Sequence, residues 1–570
     1  MPRRITFLRQ TTWMSRGAGR KRLVVAALGC LVVAALGLAI HFAPTQSASK
    51  SFGPRLVVVI VIDQFRYEYL QRFREHFVEG GFKRFLHEGA TFTEAKYRHA
   101  TTDTCPGHAV ISTGTWGNLN GIVANAWFDT ERGRAVNCVD SIWGGGSARN
   151  LLHPTTGDML KKASDGGSRV ITAAGKSAAA ILLGGQAADA AYWTDAKGRF
   201  VTSVNYRLRL PGWAREFNSS GRVDAYFGKA WQRILPIEAY AALGRDDEPA
   251  ERSANGLGRT FPHPMTGGAS TIGPHFYRAF KTSPYQDEIL VEFATAAIRE
   301  EELGQDDVTD LIAVSFSAND AVGHSYGPDS HETLDIVVRT DRILMRLFEF
   351  LEREVGLNHT LIVLTADHGL APLPEVAQAR ARLRRAGRVS ENALIESASD
   401  ALNVAYGQPE SGTWVAFHDY PNLFLNEGAL NAKGVRAADA ERLVRRALQD
   451  VPGVQAAFTR TELEALRDTA VASELARAAL LSFHSERSGH VVYRVLPFHV
   501  VNDTGTNHGS PWDYDTHVPL MWYGPGVKSG TYDMAVSPAD IAPTLMALLG
   551  IAGPSGSAGR VLHEMLIPRG

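Results

Sequence analysis

The sequence predicts an α/β fold of three layers, α/β/α, built on a central mostly parallel sheet and carrying two cap insertions. Short, unbroken apolar runs rich in β-branched residues recur at three places. They run from Arg55 through LVVVIVI to Asp63, from Asp310 through LIAVSFS to Ala318-Asn319-Asp320, and from Thr360 through LIVLTA to Asp367-His368. Such runs are the pattern of strands covered on both faces, as in a parallel sheet flanked by helices. Helix-like stretches lie between them at Tyr67 to His87, Tyr285 to Glu302 and His331 to Val355. Each run also ends in a polar residue, and in open α/β sheets the carboxyl ends of the strands form the ligand crevice.

The elements follow in chain order. Seven cations (Arg3, Arg4, Arg9, Arg16, Arg20, Lys21, Arg22) precede the apolar run Leu23 to Ile40, and no acidic residue occurs before Asp63. A basic head before an apolar stretch is read as a translocated segment with its positive side in the cytoplasm. Residues 1–50 are therefore expected to be a signal peptide or a single membrane anchor with its linker, touching the inner membrane if uncleaved. The folded body is then expected to be periplasmic or extracellular. Its core is expected in three parts, 51–194, 281–374 and 501–570, interrupted by cap insertions at 195–280 and 375–500. The first insertion is rich in Trp, Tyr, Pro and Gly. The second opens on an Arg-rich helix (Ala377 to Ala386), then alternates from Trp414 to Leu425, and carries an amphipathic helix at Ala437 to Gln449. A fourth apolar strand, Val518 to Tyr523, precedes a last helix from Pro538 to Leu549, with Ser537 placed to cap it.

Lys plus Arg is 59 and Asp plus Glu is 60, so no overall field points to a nucleic-acid scaffold. With 45% hydrophobic and 21% charged residues, the chain is neither disordered nor a polytopic membrane protein. Three cysteines exclude a disulfide-built scaffold.

The chemistry collects at the strand ends. Asp63, Asp320 with His324, Asp367 with His368, and His508 in Asn507-His508-Gly509 offer oxygen and nitrogen ligands suited to zinc. Asp320 and His324, four apart, face one way on a helical turn. Six such groups exceed one tetrahedral ion and suit two ions with open positions for substrate. A nucleophile is available in Thr101-Thr102-Asp103-Thr104-Cys105-Pro106-Gly107-His108, where Pro106 fits a first helical turn. Thr104 or Cys105 then lies at a helix N-terminus, which favours an incoming anion.

The ordered set Asp63, Thr104-Cys-Pro-Gly-His, Asp320-Ala-Val-Gly-His324, Asp367-His368-Gly369 and His508-Gly509 resembles the alkaline phosphatase superfamily. It is nearest to bacterial alkaline phosphatases with a threonine nucleophile and is similar to nucleotide pyrophosphatase/phosphodiesterases. The resemblance implies one zinc at Asp320, His324 and His508 and a second at Asp63, Asp367 and His368, with Thr104 also a ligand. His517 competes with His508 for the last place, and the glycine after His508 matches the family better. Thr104 is implied as the nucleophile that becomes phosphothreonine, and Asn125 and Lys176 as contacts to phosphoryl oxygens.

One position departs from the pattern. Monoester-hydrolysing members carry Lys-x-Arg where this chain has Lys176-Ser177-Ala178. A monoester dianion has more charge on its free oxygens than a diester, so a bidentate arginine favours monoesters. The expected activity is release of phosphate from small phosphomonoesters. The alternatives are phosphodiester or nucleotide-pyrophosphate hydrolysis and, in another class, a non-catalytic metal-binding ectodomain. The Cys-x-Pro-x-Arg pattern of sulfatases is absent at Cys105. Whether Cys105 pairs with Cys138 or stays an inert thiol is open.

Overall fold

The computed structural model describes residues 53–142, 144–253, 255–381, 385–467, 473–554 and 556–568. The basic and apolar N-terminal segment lies outside the described residues. Among those described, no helix is long and apolar enough to cross a membrane.

Nine strands form the central sheet: β1 (Leu56–Ile62), β2 (Ala90–Ala95), β3 (Val170–Ala174), β4 (Ala190–Thr194), β5 (Phe200–Val201), β6 (Asp310–Phe316), β7 (Thr360–Thr365), β8 (Leu520–Tyr523) and β9 (Gly530–Val536). Their order is β9-β2-β8-β7-β1-β6-β3-β4-β5. The run β7-β1-β6-β3-β4 is parallel throughout. Strand β8 lies antiparallel to β7 and β2, β9 is parallel to β2, and β5 is antiparallel to β4. Three of the four strands read from the sequence, β6, β1 and β7, are thus neighbours at the sheet centre, and all their residues are buried.

Side chains alternate across a sheet, so each central strand feeds two cores. Val58, Ile60, Ile312, Val314, Ile362 and Leu364 face one layer, packed with Leu290, Phe293, Leu344 and Leu347. Val57, Val59, Leu311, Ala313, Leu361 and Val363 face the other, with Ile541 and Leu545. The helices that matter for the site are α1 (Thr104–Thr113), α2 (Ser177–Gly184), α3 (Tyr285–Glu300), α4 (Ala318–Tyr326), α5 (His331–Glu354) and α6 (Ile541–Leu549). The last helix starts at Ile541 rather than at Pro538: Pro538–Asp540 is a 3-10 turn, which Ser537 caps in a capping box with Asp540 before α6 begins.

Two further expectations need correction. Residues 67–87 are not one helix: Tyr69–Arg72 and Phe82–Glu88 are separate helices, with a 3-10 turn at Arg74–His76 between them. The Asp341 carboxylate on α5 accepts from the N–H groups of Val78 and Phe82 at 2.6 and 2.7 Å, starting the second helix afresh. Gly81 is needed there because a Cβ would collide with that carboxylate. The Arg-rich helix runs Pro374–Ala381, beginning at a proline that fits a first helical turn.

The stretch after β5 holds short turns whose Trp231, Tyr240 and Phe261 join the main core. Beyond residue 385 the chain builds its own antiparallel sheet, ordered Val415–Asp419, Asn422–Leu425, Val491–Val495, Val454–Thr459. Helices Glu391–Tyr406 and Ala437–Asp450 cover it through Leu394, Leu402, Val444 and Leu448.

Candidate active site

The strand ends converge. Asp63 follows β1, Asp320 and His324 lie one turn apart on α4 just beyond β6, and Asp367 and His368 follow β7. Because β6, β1 and β7 are adjacent and parallel, all five residues reach the same rim. Two groups result: Asp320, His324 and His508, and Asp63, Asp367 and His368. Within each group the potential ligand atoms lie within 4.8 Å of one another, close enough to hold a metal ion.

The histidines are oriented for this task. Nδ1 of His324 faces the Thr506 carbonyl at 2.9 Å, Nδ1 of His368 the Gly369 carbonyl at 2.9 Å, and Nδ1 of His508 the Thr102 carbonyl at 2.9 Å. A carbonyl only accepts, so each Nδ1 carries the proton and each Nε2 turns a lone pair toward its group. His368 Nε2 and Asp63 Oδ1 are buried without a hydrogen bond, although a buried polar atom ordinarily has one. The donor set and these orphaned atoms fit a cation.

Without a bound ion, the buried groups protonate away from their usual ranges, and a cation would displace the protons from Asp63 and from His508 Nε2. Burial, with the Asp367 charge added, holds the Asp63 carboxyl well above the usual carboxylate range. Burial works the same way on Asp320, but the Lys176 and His324 charges outweigh it and hold that carboxyl well below the range. Burial pushes the His368 imidazole down to about 4. For His508 burial is outweighed by Asp103, whose hydrogen bond and charge lift it to about 9.

Thr104 is the first residue of α1, buried, with Asp103 as N-cap. Lys176 stands between the two groups: its ammonium is 2.7 Å from Asp63 Oδ2, 2.7 Å from Asp320 Oδ2, and donates to Thr104 Oγ1 at 3.2 Å. Asn125 is also adjacent, its side-chain oxygen accepting from the Cys105 N–H at 2.9 Å. Every site residue proposed from the sequence is therefore in one cluster. His517 is elsewhere, its ring stacked on Tyr67 and Nε2 bound to the Thr93 carbonyl at 2.7 Å. Ala178, in the first turn of α2, packs against the apolar cluster of Cys105, Trp127 and Ala179 and brings no charge. The open cysteine question is answered: Cys105 and Cys138 are disulfide-bonded.

A family model described as type I phosphodiesterase / nucleotide pyrophosphatase matches residues 57–489. The chain belongs to this family. As a phosphodiesterase-family hydrolase it has relatives along nearly its whole length. Alkaline phosphatase PhoV of Synechococcus elongatus is 33% identical, over 90% of this chain and 93% of its own. Alkaline phosphatase PafA of Elizabethkingia meningoseptica is 30% identical, over 90% and 94%. The crystal structure of wild-type PafA matches with a TM-score of 0.83 at 28% identity, covering 90% of this chain and 99% of that one. The fold of the phosphodiesterase-family chain is thus that of the alkaline phosphatase superfamily.

Sequence reasoning missed three residues here. Asp103 holds His508 Nδ1 at 3.1 Å, and the buried His108 sits 3.1 Å from Asp367 Oδ2. Gln64 links both groups: its N–H donates to Asp367 Oδ1 at 3.1 Å and its side-chain amide to Asp320 Oδ1 at 2.8 Å. It does so from a left-handed backbone (φ 66°), a conformation that costs a non-glycine residue about 1–3 kcal/mol and clusters at functional sites. The close approach of Gly323, where a Cβ would strike Gln64 Oε1, completes the fit. Losing a residue that orients ligands typically costs about 10–100-fold in metal affinity. Gln64→Ala is expected to weaken metal binding by that factor in a competition titration with a chelating dye, and unchanged affinity would refute the assignment.

Proposed function

We propose that this chain hydrolyses small phosphomonoesters through a phosphothreonine intermediate on Thr104, with two zinc ions, one held by Asp320, His324 and His508 and the other by Asp63, Asp367 and His368. Thr104 is a further ligand in this reading. When bound, the ions supply Lewis-acid stabilisation of the charge that develops on the attacking and leaving oxygens.

The observation that carries the reading is the position of Lys176, in contact with Thr104 Oγ1 and with a carboxylate of each group. One hydroxyl and one carboxylate from each ligand set lie within 3.2 Å of a single cation. Thr104 Oγ1 attacks phosphorus at the amino end of α1, where the helix dipole favours the anion. Asn125, its oxygen committed to the Cys105 N–H, is left with its NH2 to donate to a phosphoryl oxygen. Lys176 balances the remaining charge. The names of the relatives, alkaline phosphatases, support the monoester assignment. They and the disulfide, a bond that persists in oxidising compartments, support a periplasmic or secreted location.

Ala178 favours a second reading, phosphodiester or nucleotide-pyrophosphate hydrolysis, because the apolar surface it joins accepts an esterified oxygen better than a free one. Rates on p-nitrophenyl phosphate and bis-p-nitrophenyl phosphate separate the two readings. The monoester is expected to be the better substrate; a faster diester would reverse the assignment. A charge-assisted hydrogen bond contributes about 1.5–3 kcal/mol, so Ala178→Arg is expected to raise the monoester-to-diester ratio by about tenfold or more. An unchanged ratio would show that position 178 does not set the preference.

A further inference from the structure

Cysteine 105 follows the nucleophile directly, and its partner closes the base of a hairpin. The strands Ala126–Asp129 and Arg134–Asn137 pair antiparallel with Ala126 opposite Asn137, so Asn125 and Cys138 flank the hairpin's open end. Three links meet there. The Cys138 N–H donates to the Asn125 carbonyl at 2.9 Å, the Cys105 N–H donates to Asn125 Oδ1 at 2.9 Å, and the two sulfurs are bonded. Asn125 is thereby enclosed in a ring that starts and ends on the first turn of α1.

The ring determines which way the amide points. With Oδ1 fixed on the Cys105 N–H, Nδ2 is directed to the opposite side. A two-stranded hairpin is marginal by itself in water, and the far end of this one, around residues 130–135, is exposed. The hairpin is anchored by ring contacts of Phe128 with Phe424 and of Trp127 with Arg487, and at its buried base, where Cys105 and Cys138 pack with Ala109, Ile122 and Trp127. A thiol pair would fill the same space without tying hairpin to helix.

We propose that the Cys105–Cys138 disulfide is a positioning element for catalysis, fixing the Asn125 amide beside Thr104. The inference rests on Asn125 as a donor to phosphoryl oxygen. Removing one such donor costs about 10²–10³ in rate, and a misplaced donor loses part of that.

The test is a double-mutant cycle on kcat/KM for p-nitrophenyl phosphate, which measures coupling between neighbours. The four proteins are wild type, Asn125→Ala, Cys105→Ala/Cys138→Ala, and the combined variant, each with its metal content and inhibition by inorganic phosphate. The bridge variant is expected to lose about tenfold in the wild-type background, at unchanged metal content and with weaker phosphate inhibition. In the Asn125→Ala background the same change is expected to lose less than twofold. Equal losses in both backgrounds, or no loss in wild type, would overturn the proposal. If Asn125→Ala alone left kcat/KM unchanged, the reading of Asn125 would fail instead, and the proposal with it. Should the bridge variant not fold, wild type and Asn125→Ala are each compared before and after reduction by a phosphine, with metal restored. The phosphine takes up oxygen from water as the disulfide becomes two thiols. Loss confined to wild type supports the proposal, and equal loss in both refutes it.

Discussion

Thr104→Ala is expected to abolish turnover of p-nitrophenyl phosphate, by about 10⁴-fold or more, the scale at which enzymes lose rate when a nucleophile is deleted. The same variant is expected to keep its metal content and its fold. Thr104 opens α1 but does not cap it, since the N-cap position belongs to Asp103. Its hydroxyl receives one hydrogen bond, from Lys176 at 3.2 Å, and that ammonium retains Asp63 and Asp320 at 2.7 Å each. Removing the hydroxyl leaves no buried charge unpaired, so the melting midpoint is expected to stay near that of wild type. Thr104→Ser keeps the nucleophilic oxygen and is expected to retain measurable turnover. Acid quenching during turnover is expected to trap labelled phosphate on wild type and not on the alanine variant. A Thr104→Ala enzyme with more than a tenth of wild-type activity would refute the nucleophile assignment.

What the sequence discloses, and what it hides, follows from where each signal resides. Strands β1, β6 and β7 were legible because central parallel strands are apolar on both faces, and their carboxyl-end residues were legible because polar groups beside such runs need a reason. Strand β9 was not: it lies at the sheet edge, mostly solvent-facing, and its GTYDMAV has no apolar run. Strands β3 and β4, VITAA and AAYWT, each hold two alanines, which carry little strand propensity, and are held as strands by pairing, β3 with β6 and β4 with β3. The six proposed ligands were legible by residue type and order. Gln64 was not, because its role depends on a left-handed backbone that nothing in its side chain announces. Asp103 gains its meaning from His508, some four hundred residues later, and no spacing rule spans that distance. The cysteine pair remained undecided for a related reason: only the hairpin between them brings Asn125 and Cys138 together.

Metal removal is the other large effect. Asp63 and Asp320 both contact the single ammonium of Lys176, and Asp367 lies close enough to Asp63 to raise its carboxyl. Two like charges about 4 Å apart repel by about 4 kcal/mol at an effective dielectric constant near 20, and one cation among three carboxylates does not cancel this. Bound divalent ions would. A ligand present at about 1,000 times its Kd stabilises the folded state by about 4 kcal/mol, so zinc is expected to raise the melting temperature of chelator-treated protein while restoring activity that chelation has reduced to background. The two groups share no residue, which makes the stoichiometry informative. Asp320→Asn and Asp63→Asn keep the side-chain shape and remove one charge from one group each, so each variant is expected to retain about one ion per chain and to lose nearly all turnover. Two ions retained by either variant would place its ligands elsewhere, and full activity in metal-free protein would leave Thr104 and Lys176 to carry the reaction alone. A single threonine hydroxyl, ordinarily a weak nucleophile, beside one ammonium already engaged by two carboxylates, is not equipped for that, and the buried, unbonded Oδ1 of Asp63 would then have no purpose that repays its burial.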